Sequence, residues 1–284
     1  MSTELKVAVG QFVATGDWRE NLETCADLVR KAEAESARLL VLPEGVLARF
    51  VEDRDRIREV AQPLDGPFVT GLAQVTEGLG VTVVVGIHER GDEGDPDGKP
   101  FNTLVVLRDG SVVATYRKLH LYDAFSMRES DNVTAADSVP GLVDVDGFKV
   151  GLMTCYDVRF PELARLLALA GADVLVLPAA WVKGPLKEHH WRTLVTARAL
   201  DNTVYVVASG ESGPRNIGQS LVVDPLGVTI AQAAEEPALI TTVLTAQRLA
   251  EARDRLPVLA NRRFDVDPRP RPIAVPPPSA HSGA

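Results

Sequence analysis

The stretch VGLMTCYDVRFPE, residues 150–162, carries the pattern that decides the fold. An apolar run leads into Cys155, the chain then turns polar, and Pro161 with its following glutamate is a favourable helix start. This pattern predicts a strand, a sharp turn and a helix, with a thiol at the carboxyl end of the strand, where open α/β folds place their ligand sites. The helix N-terminus behind the turn would favour a thiolate. A small buried cysteine that ends a core strand fits the same local pattern.

Two further polar side chains follow apolar runs elsewhere in the chain. Glu44 comes shortly after the apolar residues 39–42. Lys118 lies in the basic and aromatic segment 116–123, where a predicted strand ends. A carboxylate at the end of a buried strand is costly unless another group pairs with it. Each of these residues also fits a solvated surface position when it is considered alone, so the local patterns leave both interpretations open.

The composition limits the classes of partner that we expect for the protein. The chain has 284 residues, 45% of them hydrophobic, and a net charge of −9. It is long enough to bury a full core. The net negative charge and the lack of a run of basic residues disfavour nucleic acid and anionic membranes as partners. No apolar run approaches the ~18 residues of a membrane-spanning helix, and the start of the chain shows no charged-then-apolar targeting pattern.

The cysteines and histidines indicate a reducing compartment and no metal site. Cys25 and Cys155 lie far apart in different contexts, which is no disulfide framework and suits the cytoplasm. Cys25 falls on the apolar stripe of a helix predicted over residues 17–37, and we interpret it as structural. None of the five histidines lies in an HExxH or CxxC setting, so we expect no metal site.

The predicted elements are those of an α/β chain with two related halves. Leu-Pro ends an apolar run both at residues 42–43 and at residues 177–178, and each run follows a predicted helix rich in alanine. This similarity suggests an internal repeat of α-β units. Residues 124–140 are polar and irregular and predict a long loop. We expect one domain over residues 1–264 and a proline-rich C-terminal tail over residues 265–284, without a core of its own.

Three motifs, taken together and in this order, resemble the nitrilase superfamily of carbon–nitrogen hydrolases. They are PEG at residues 43–45, YRKLHLYD at residues 116–123 and TCYDVRFPEL at residues 154–163. The similarity continues outside them and spans about residues 5–265. Its further segments are Arg128-Glu129-Ser130, RALDN at residues 198–202, and GQS and DPLG within residues 218–227.

The resemblance implies a four-layer αββα sandwich whose subunits pair into at least a homodimer. It also implies a catalytic triad of Glu44, Lys118 and Cys155. Cys155 would attack an amide carbon as a nucleophile, and Glu44 would move the protons. A second glutamate, Glu129, would hold Lys118 in place.

The resemblance further assigns the groups around the reacting carbon. Lys118 and the backbone N–H of Tyr156 would stabilise the tetrahedral oxyanion. We expect Arg159 and Trp181 to contact the substrate. The chemistry requires neither a metal ion nor an organic cofactor.

The residues after the nucleophile favour amide over nitrile hydrolysis. The sequence Cys-Tyr-Asp at residues 155–157 is similar to the branch of omega-amidases and deaminated glutathione amidases, whereas true nitrilases typically have Cys-Trp-Glu. We expect a small linear amide, with 2-oxoglutaramate or deaminated glutathione as the best candidates. A substrate carboxylate needs a cation in the pocket, and the candidates are Arg159, Lys183, Arg198 and Arg215.

Alternatives remain open at this stage. One is a different chemistry of the same family, the hydrolysis of an N-carbamoyl compound or of a nitrile. The other is a catalytically silent binding protein that keeps the fold. The presence of Glu44, Lys118 and Cys155 together favours an enzyme.

Overall fold

The fold is known from a computed structural model, which describes residues 3–49, 56–91, 98–125 and 127–269. The strands are β1 Glu4–Gln11, β2 Leu39–Val41, β3 Thr82–Glu89, β4 Phe101–Arg108, β5 Ser111–Arg117, β6 Asp123–Ala124, β7 Met127–Arg128, β8 Val143–Val145, β9 Phe148–Leu152, β10 Val174–Ala179, β11 Tyr205–Gly210, β12 Leu221–Val223, β13 Thr229–Gln232 and β14 Ala238–Thr245. The α-helices are α1 Trp18–Ala34, α2 Arg56–Val60, α3 Pro67–Thr76, α4 Pro161–Leu169, α5 Lys187–Asn202, α6 Ala246–Arg255 and α7 Val258–Asn261. Two 3₁₀ helices cover Glu129–Asp131 and Cys155–Arg159.

Two six-stranded sheets form the centre of the molecule. The first has the order β14-β1-β2-β3-β4-β5 and the second the order β13-β12-β11-β10-β9-β8. In each sheet three neighbouring strands are parallel, β1-β2-β3 and β9-β10-β11, and the outer pairs are antiparallel. The strands β1 to β5 therefore correspond to β9 to β13, and the internal repeat is confirmed. The two Leu-Pro pairs lie at the ends of the two central parallel strands, β2 and β10.

The alternation of side chains along the strands places these sheets in four layers. In β1, Leu5, Val7 and Val9 face the core between the sheets, whereas Ala8 faces the helices α1 and α3. The helices α4 and α5 cover the other sheet with their own buried apolar faces. A sheet with two apolar faces requires cover on both sides, which explains the αββα order. The predicted four-layer sandwich is confirmed.

Several local predictions needed correction. The segment 124–140, predicted to be a loop, contains part of the hairpin β6-β7 and the 3₁₀ helix Glu129–Asp131. A 3₁₀ helix also lies between Cys155 and the predicted helix, which begins at Pro161 as expected. Strand β8 was missed because three residues are too few for a periodic pattern.

The predictions of a C-terminal tail and of no membrane-spanning helix can be compared with the structure only within the described residues. Residues 265–269 contain neither helix nor strand, and residues 270–284 lie outside the described residues, so the boundary at residue 264 stays a prediction. In the described ranges no helix combines the length and the apolar character needed to span a bilayer.

A close approach of two backbones positions the turn that carries Glu44. The Gly86 N–H on β3 donates to the Pro43 carbonyl at 3.1 Å, and the Val46 N–H donates to the Gly86 carbonyl at 2.8 Å. A Cβ atom at Gly86 would lie 2.7 Å from the Glu44 Cα, a distance that real Cβ atoms essentially never show. Because the obstacle is backbone, it cannot move aside as a flexible side chain would.

We therefore expect Gly86→Ala to displace the Glu44 turn and to lower the free energy of unfolding by about 1–3 kcal/mol, the usual cost of overpacking. Denaturant unfolding followed by circular dichroism measures this change. Gly141→Ala is the matched control, because a Cβ at Gly141 meets nothing within 4 Å and its φ lies outside the left-handed region. Equal unfolding midpoints for the two variants would contradict this account of Gly86.

Candidate active site

A buried lysine between two glutamates forms the centre of the site. Lys118 follows β5 and is 2% exposed. Its Nζ donates to Glu44 Oε1 at 2.9 Å and to Glu129 Oε2 at 2.8 Å. Cys155 lies beside this group, close enough for the Glu44 carboxylate and the Lys118 ammonium to act on the pKa of its thiol. The structure thus brings together all four residues that the sequence predicted as catalytic.

The ion pairs fix the charges of this cluster. Burial by itself lowers the pKa of Lys118, but the carboxylates of Glu129 and Glu44 outweigh it, and the pKa lies well above its ordinary value. Burial by itself raises the pKa of Glu44, yet the Lys118 ammonium and the hydrogen bonds around the carboxylate lower it to about 2. Lys118 is therefore an ammonium and Glu44 a carboxylate at neutral pH.

Asn102 is a member of the cluster that the sequence reasoning missed. It lies on β4, is 2% exposed, and donates from Nδ2 to Glu44 Oε1 at 2.8 Å and to Glu129 Oε1 at 2.9 Å. The remaining Glu44 oxygen, Oε2, accepts from the Ala180 N–H at 2.8 Å. A polar amide inside the otherwise apolar strand FNTLVVL was the available signal, because a buried amide needs partners.

Cys155 is placed as predicted, but its protonation differs from the expectation. Its φ is +43°, a left-handed conformation that is uncommon outside glycine and is found at functional turns. Burial raises the pKa of the thiol, and the carboxylate of Glu44 raises it further, against the opposite effect of Lys118. This shift favours the thiol over the predicted thiolate in the free site, because burial and the nearby carboxylates together outweigh the Lys118 ammonium.

Asp157, whose role the sequence left undecided, ties the nucleophile turn to the strand that carries Lys118. Its carboxylate is fully buried and accepts from the Thr154 N–H at 2.8 Å and from the Tyr116 hydroxyl at 2.7 Å. Its other oxygen accepts from the His120 N–H at 3.2 Å and lies 2.8 Å from His120 Nδ1. Asp157 is thus a positioning residue for Cys155 and Lys118.

A second ion pair, between the partly buried Arg49 and the buried Glu211, also lines the cavity. Arg49 donates to the Glu44 carbonyl at 2.9 Å and to Glu211 Oε2 at 2.6 Å. His88 is 4% exposed, and burial, together with the nearby Arg49 charge, lowers its pKa to about 3. His88 is consequently neutral at physiological pH. Within the described ranges no three His, Cys, Asp or Glu side chains form a group that could hold a metal ion.

The cluster opens into a cavity of about 260 Å³. Glu44, Glu129 and Cys155 lie at its wall, with both polar and apolar neighbours. A ligand that enters this cavity therefore reaches Cys155 and both glutamates, which hold Lys118 between them. The other lining residues relevant here are Arg49, His88, Asn102, Tyr122, Ala180, Trp181, Lys187, Glu211 and Arg215.

Trp181, which was predicted to contact substrate, belongs to the lining of the cavity, whereas Arg159 and Tyr156 do not. Trp181 is 3% exposed and lines the cavity. The Arg159 guanidinium lies 5.0 Å from the centre of the Trp181 ring and 5.8 Å from that of Tyr156. The 3₁₀ helix at Cys155 begins with a hydrogen bond from the Asp157 N–H to the Thr154 carbonyl at 2.9 Å. The Tyr156 N–H belongs to the residue just before the donor of this bond.

The other cations proposed from the sequence are mostly outside the cavity. Arg198 donates from Nε to the Val158 carbonyl at 3.0 Å and so supports the nucleophile turn. Lys183 is exposed and does not line the cavity, and Arg215 lines it from an exposed position. The buried cation that does line it, Lys187, was missed because a lysine at a helix start suggests a solvated position.

Comparison with known proteins gives the same fold and chemistry. The chain matches the family model for carbon-nitrogen hydrolase over residues 6–254. It is 52% identical to the deaminated glutathione amidase of Escherichia coli O157:H7 over 258 residues, which cover 91% of this chain and 97% of the relative.

Solved structures agree with these sequence matches. The fold superposes on Saccharomyces cerevisiae Nit3, a member of branch 10 of the nitrilase superfamily, with a TM-score of 0.80 and 29% identity, covering 93% of this chain and 98% of that chain. It also superposes on the amidase from Nesterenkonia sp. AN1 with a TM-score of 0.77 and 25% identity, covering 91% and 94% of the two chains. That structure is a glutamate-to-glutamine variant with the acetamide moiety of fluoroacetamide added at its active-site cysteine. The chain belongs to the nitrilase superfamily of carbon–nitrogen hydrolases.

Proposed function

We propose that this carbon–nitrogen hydrolase cleaves a small linear amide through a thioester on Cys155, with 2-oxoglutaramate or deaminated glutathione as its substrate. The observation that carries the proposal is the cluster of buried Lys118 between Glu44 and Glu129, whose two carboxylates line the same cavity as Cys155. It supplies a nucleophile, a base and a cation within one hydrogen-bonded group.

The first half of the reaction forms the thioester. The sulfur of Cys155 attacks the amide carbon while its proton passes to Glu44, so that no free thiolate is required. Lys118 and the Tyr156 N–H donate to the oxygen on which negative charge develops, a role worth about 3–4 kcal/mol per donor in comparable sites. Glu44 then gives the proton to the amide nitrogen as the C–N bond breaks. The nitrogen leaves as ammonia from a primary amide and as an amine from a substituted one.

The second half of the reaction regenerates the thiol. Glu44, again a carboxylate, removes a proton from a water that attacks the thioester carbonyl. The same two donors stabilise the second oxyanion, and the carboxylic acid leaves as Cys155 regains a proton. Glu129 touches Lys118 and the Tyr122 N–H, at 2.8 and 2.6 Å, and its role is to hold the ammonium at the reacting carbon.

The choice among amides rests on charge. The relative from Escherichia coli carries the name deaminated glutathione amidase and is 52% identical. Arg159, beside Trp181, is a cation near the nucleophile and supports a substrate that bears a carboxylate. Both proposed substrates are acids whose scissile amide lies a few bonds from a carboxylate.

We expect Glu44→Gln to lower kcat for 2-oxoglutaramate roughly 10²- to 10⁴-fold, the usual contribution of a general base. Ammonia release in a coupled assay measures the loss. The nucleophile should survive in this variant, so that fluoroacetamide still labels the peptide that contains Cys155, as mass spectrometry would record.

Two controls accompany that assay. Cys155→Ala should give neither turnover nor label, and the buried Cys25 provides an internal control because it is fully buried and should remain unlabelled. Wild-type protein that releases ammonia from no amide, nitrile or carbamoyl compound, and takes no label, would favour the silent binding protein instead. Release from a nitrile or carbamoyl compound alone would favour the other chemistries of the family.

The pH profile follows from the pKa values of the cluster. Because the pKa of Glu44 is lowered to about 2 and that of Lys118 is raised, both keep their working charges across neutral pH. We expect kcat/KM to be flat from roughly pH 5 to 8, without an acid limb near the ordinary pKa of a glutamate. His88, with a pKa of about 3, adds no step near pH 6.5.

The same shift has a consequence for stability. A carboxyl whose pKa falls on folding stabilises the protein above its unfolded pKa, and this contribution is lost as the pH falls toward 2. Initial rates and unfolding midpoints across this pH range test both expectations. An inflection of unit slope near pH 4.5 in kcat/KM would show that Glu44 titrates normally and is not held by Lys118.

We also propose that the protein is a homodimer or larger homo-oligomer of the cytoplasm. The family resemblance implies pairing of subunits, and the apolar side chains of Val243, Leu256 and Phe264, which are exposed on one chain, are available to such a contact. Both cysteines are free, which suits a reducing compartment. Light scattering that gives the mass of a single chain at micromolar concentration would contradict the oligomer.

A further inference from the structure

Lys187 is a buried cation held among aromatic rings at the wall of the cavity. It is 4% exposed at the start of α5. Its Nζ lies 4.8 Å from the centre of the Trp181 ring and 4.9 Å from the centres of the Tyr122 and Phe125 rings. It donates one hydrogen bond, to the Tyr122 hydroxyl at 3.0 Å. Aromatic faces stabilise such a charge only in part.

Lys187 forms no ion pair with any carboxylate of the described residues. Two other cations of the site differ in this respect, since Lys118 contacts two glutamates and Arg49 contacts Glu211. Burial lowers the pKa of Lys187, and the nearby Arg159 charge lowers it further. A buried cation without a counter-ion is costly, and proteins retain one where a ligand supplies the anion.

Arg159 is a second cation beside the Trp181 ring, with polar atoms that lack partners in the described ranges. Its guanidinium lies 5.0 Å from the centre of the Trp181 ring, and its Nε and Nη2 atoms are buried without a hydrogen-bond partner among the described residues. Trp181 in turn donates from Nε1 to the Lys187 carbonyl at 2.9 Å, which fixes the ring against the start of α5. Two positive charges without counter-ions therefore lie around one indole beside Cys155.

We propose that Lys187 is a specificity-determining residue that binds the carboxylate on the acyl side of the substrate. This inference rests on the proposed amidase function and adds the residue that recognises the acyl carboxylate. The bound carboxylate accepts a hydrogen bond from Lys187 Nζ, which lines the cavity, and the nearby Arg159 charge adds to the attraction. A neutral amide of the same length leaves both cations unpaired, so the enzyme discriminates against it.

The test compares one anionic and one neutral ligand in Lys187→Met. Methionine is unbranched and packs well against aromatic rings, so it replaces the charge while filling the space. We expect KM for 2-oxoglutaramate to rise roughly 100-fold with kcat changed less than about threefold, as for a lost ground-state contact. The rate at which neutral fluoroacetamide labels Cys155 should stay within about twofold of the wild type, because the catalytic cluster is untouched.

Two further variants separate charge from structure. Lys187→Arg keeps the charge and should recover most of the affinity for 2-oxoglutaramate. Lys183→Met removes an exposed lysine from the same segment, outside the cavity, and should behave like the wild type with both ligands. If Lys187→Met does not fold, Lys187→Gln replaces it, with the same expected rise in KM and the same unchanged labelling rate.

Three outcomes would overturn the inference while leaving the amidase function intact. The first is an equal loss in turnover and in labelling, which would give Lys187 a purely structural role beneath Trp181. The second is an unchanged KM for 2-oxoglutaramate in the variant. The third is a wild-type enzyme that hydrolyses pentanamide as well as 2-oxoglutaramate. Absence of both turnover and label in the wild type would instead contradict the proposed function itself.

Discussion

The site depends on one constraint, the burial of the Lys118 ammonium. A buried charge is tolerated only with partners, and here Glu44 and Glu129 supply them at 2.9 and 2.8 Å. Each carboxylate in turn needs further donors, which Asn102 and the Ala180 N–H provide. These contacts join groups from both sheets and from the segment after β5. The geometry of the site therefore depends on the packing of the two sheets against each other. Removing Lys118 would leave two buried carboxylates facing each other.

The charge of this group explains the state of the nucleophile. Burial raises the pKa of the Cys155 thiol, and the net negative charge of two carboxylates and one ammonium beside it acts in the same direction. A permanent thiolate is thereby disfavoured, and in the proposed reaction of the native enzyme the proton of the sulfur passes to Glu44 during attack. A site of this kind is less prone to adventitious oxidation, since the thiolate is the reactive species. The left-handed φ of Cys155 and the buried Asp157 hold the sulfur in place for that transfer.

The sequence was informative where a short pattern had one physical meaning. Apolar runs that end in Leu-Pro, Cys155 before a proline-initiated helix, and Glu44 after a buried run predicted the strands, their polar ends and the repeat. It was uninformative where the outcome depends on contacts between distant residues. Asn102 acts through Glu44 and Glu129, which lie 58 and 27 residues away in the chain. The protonation of Cys155 depends on the sum of several charges at distances that no local pattern contains, and the burial of Lys187 depends on Tyr122 and Phe125 of another segment.

The cations of the site fall into two groups with different physical roles. Lys118 and Arg49 are neutralised by glutamates of the chain itself, so this part of the site is complete without a ligand. Lys187 and Arg159 have no such partner among the described residues, and their electrostatic balance requires an anion from outside. In the proposed reaction, an acid amide whose carboxylate neutralises Lys187 brings its scissile carbon to Cys155, so that binding energy gained at the carboxylate is used to position the amide for attack. The division of charge is thus what links recognition to chemistry in this cavity.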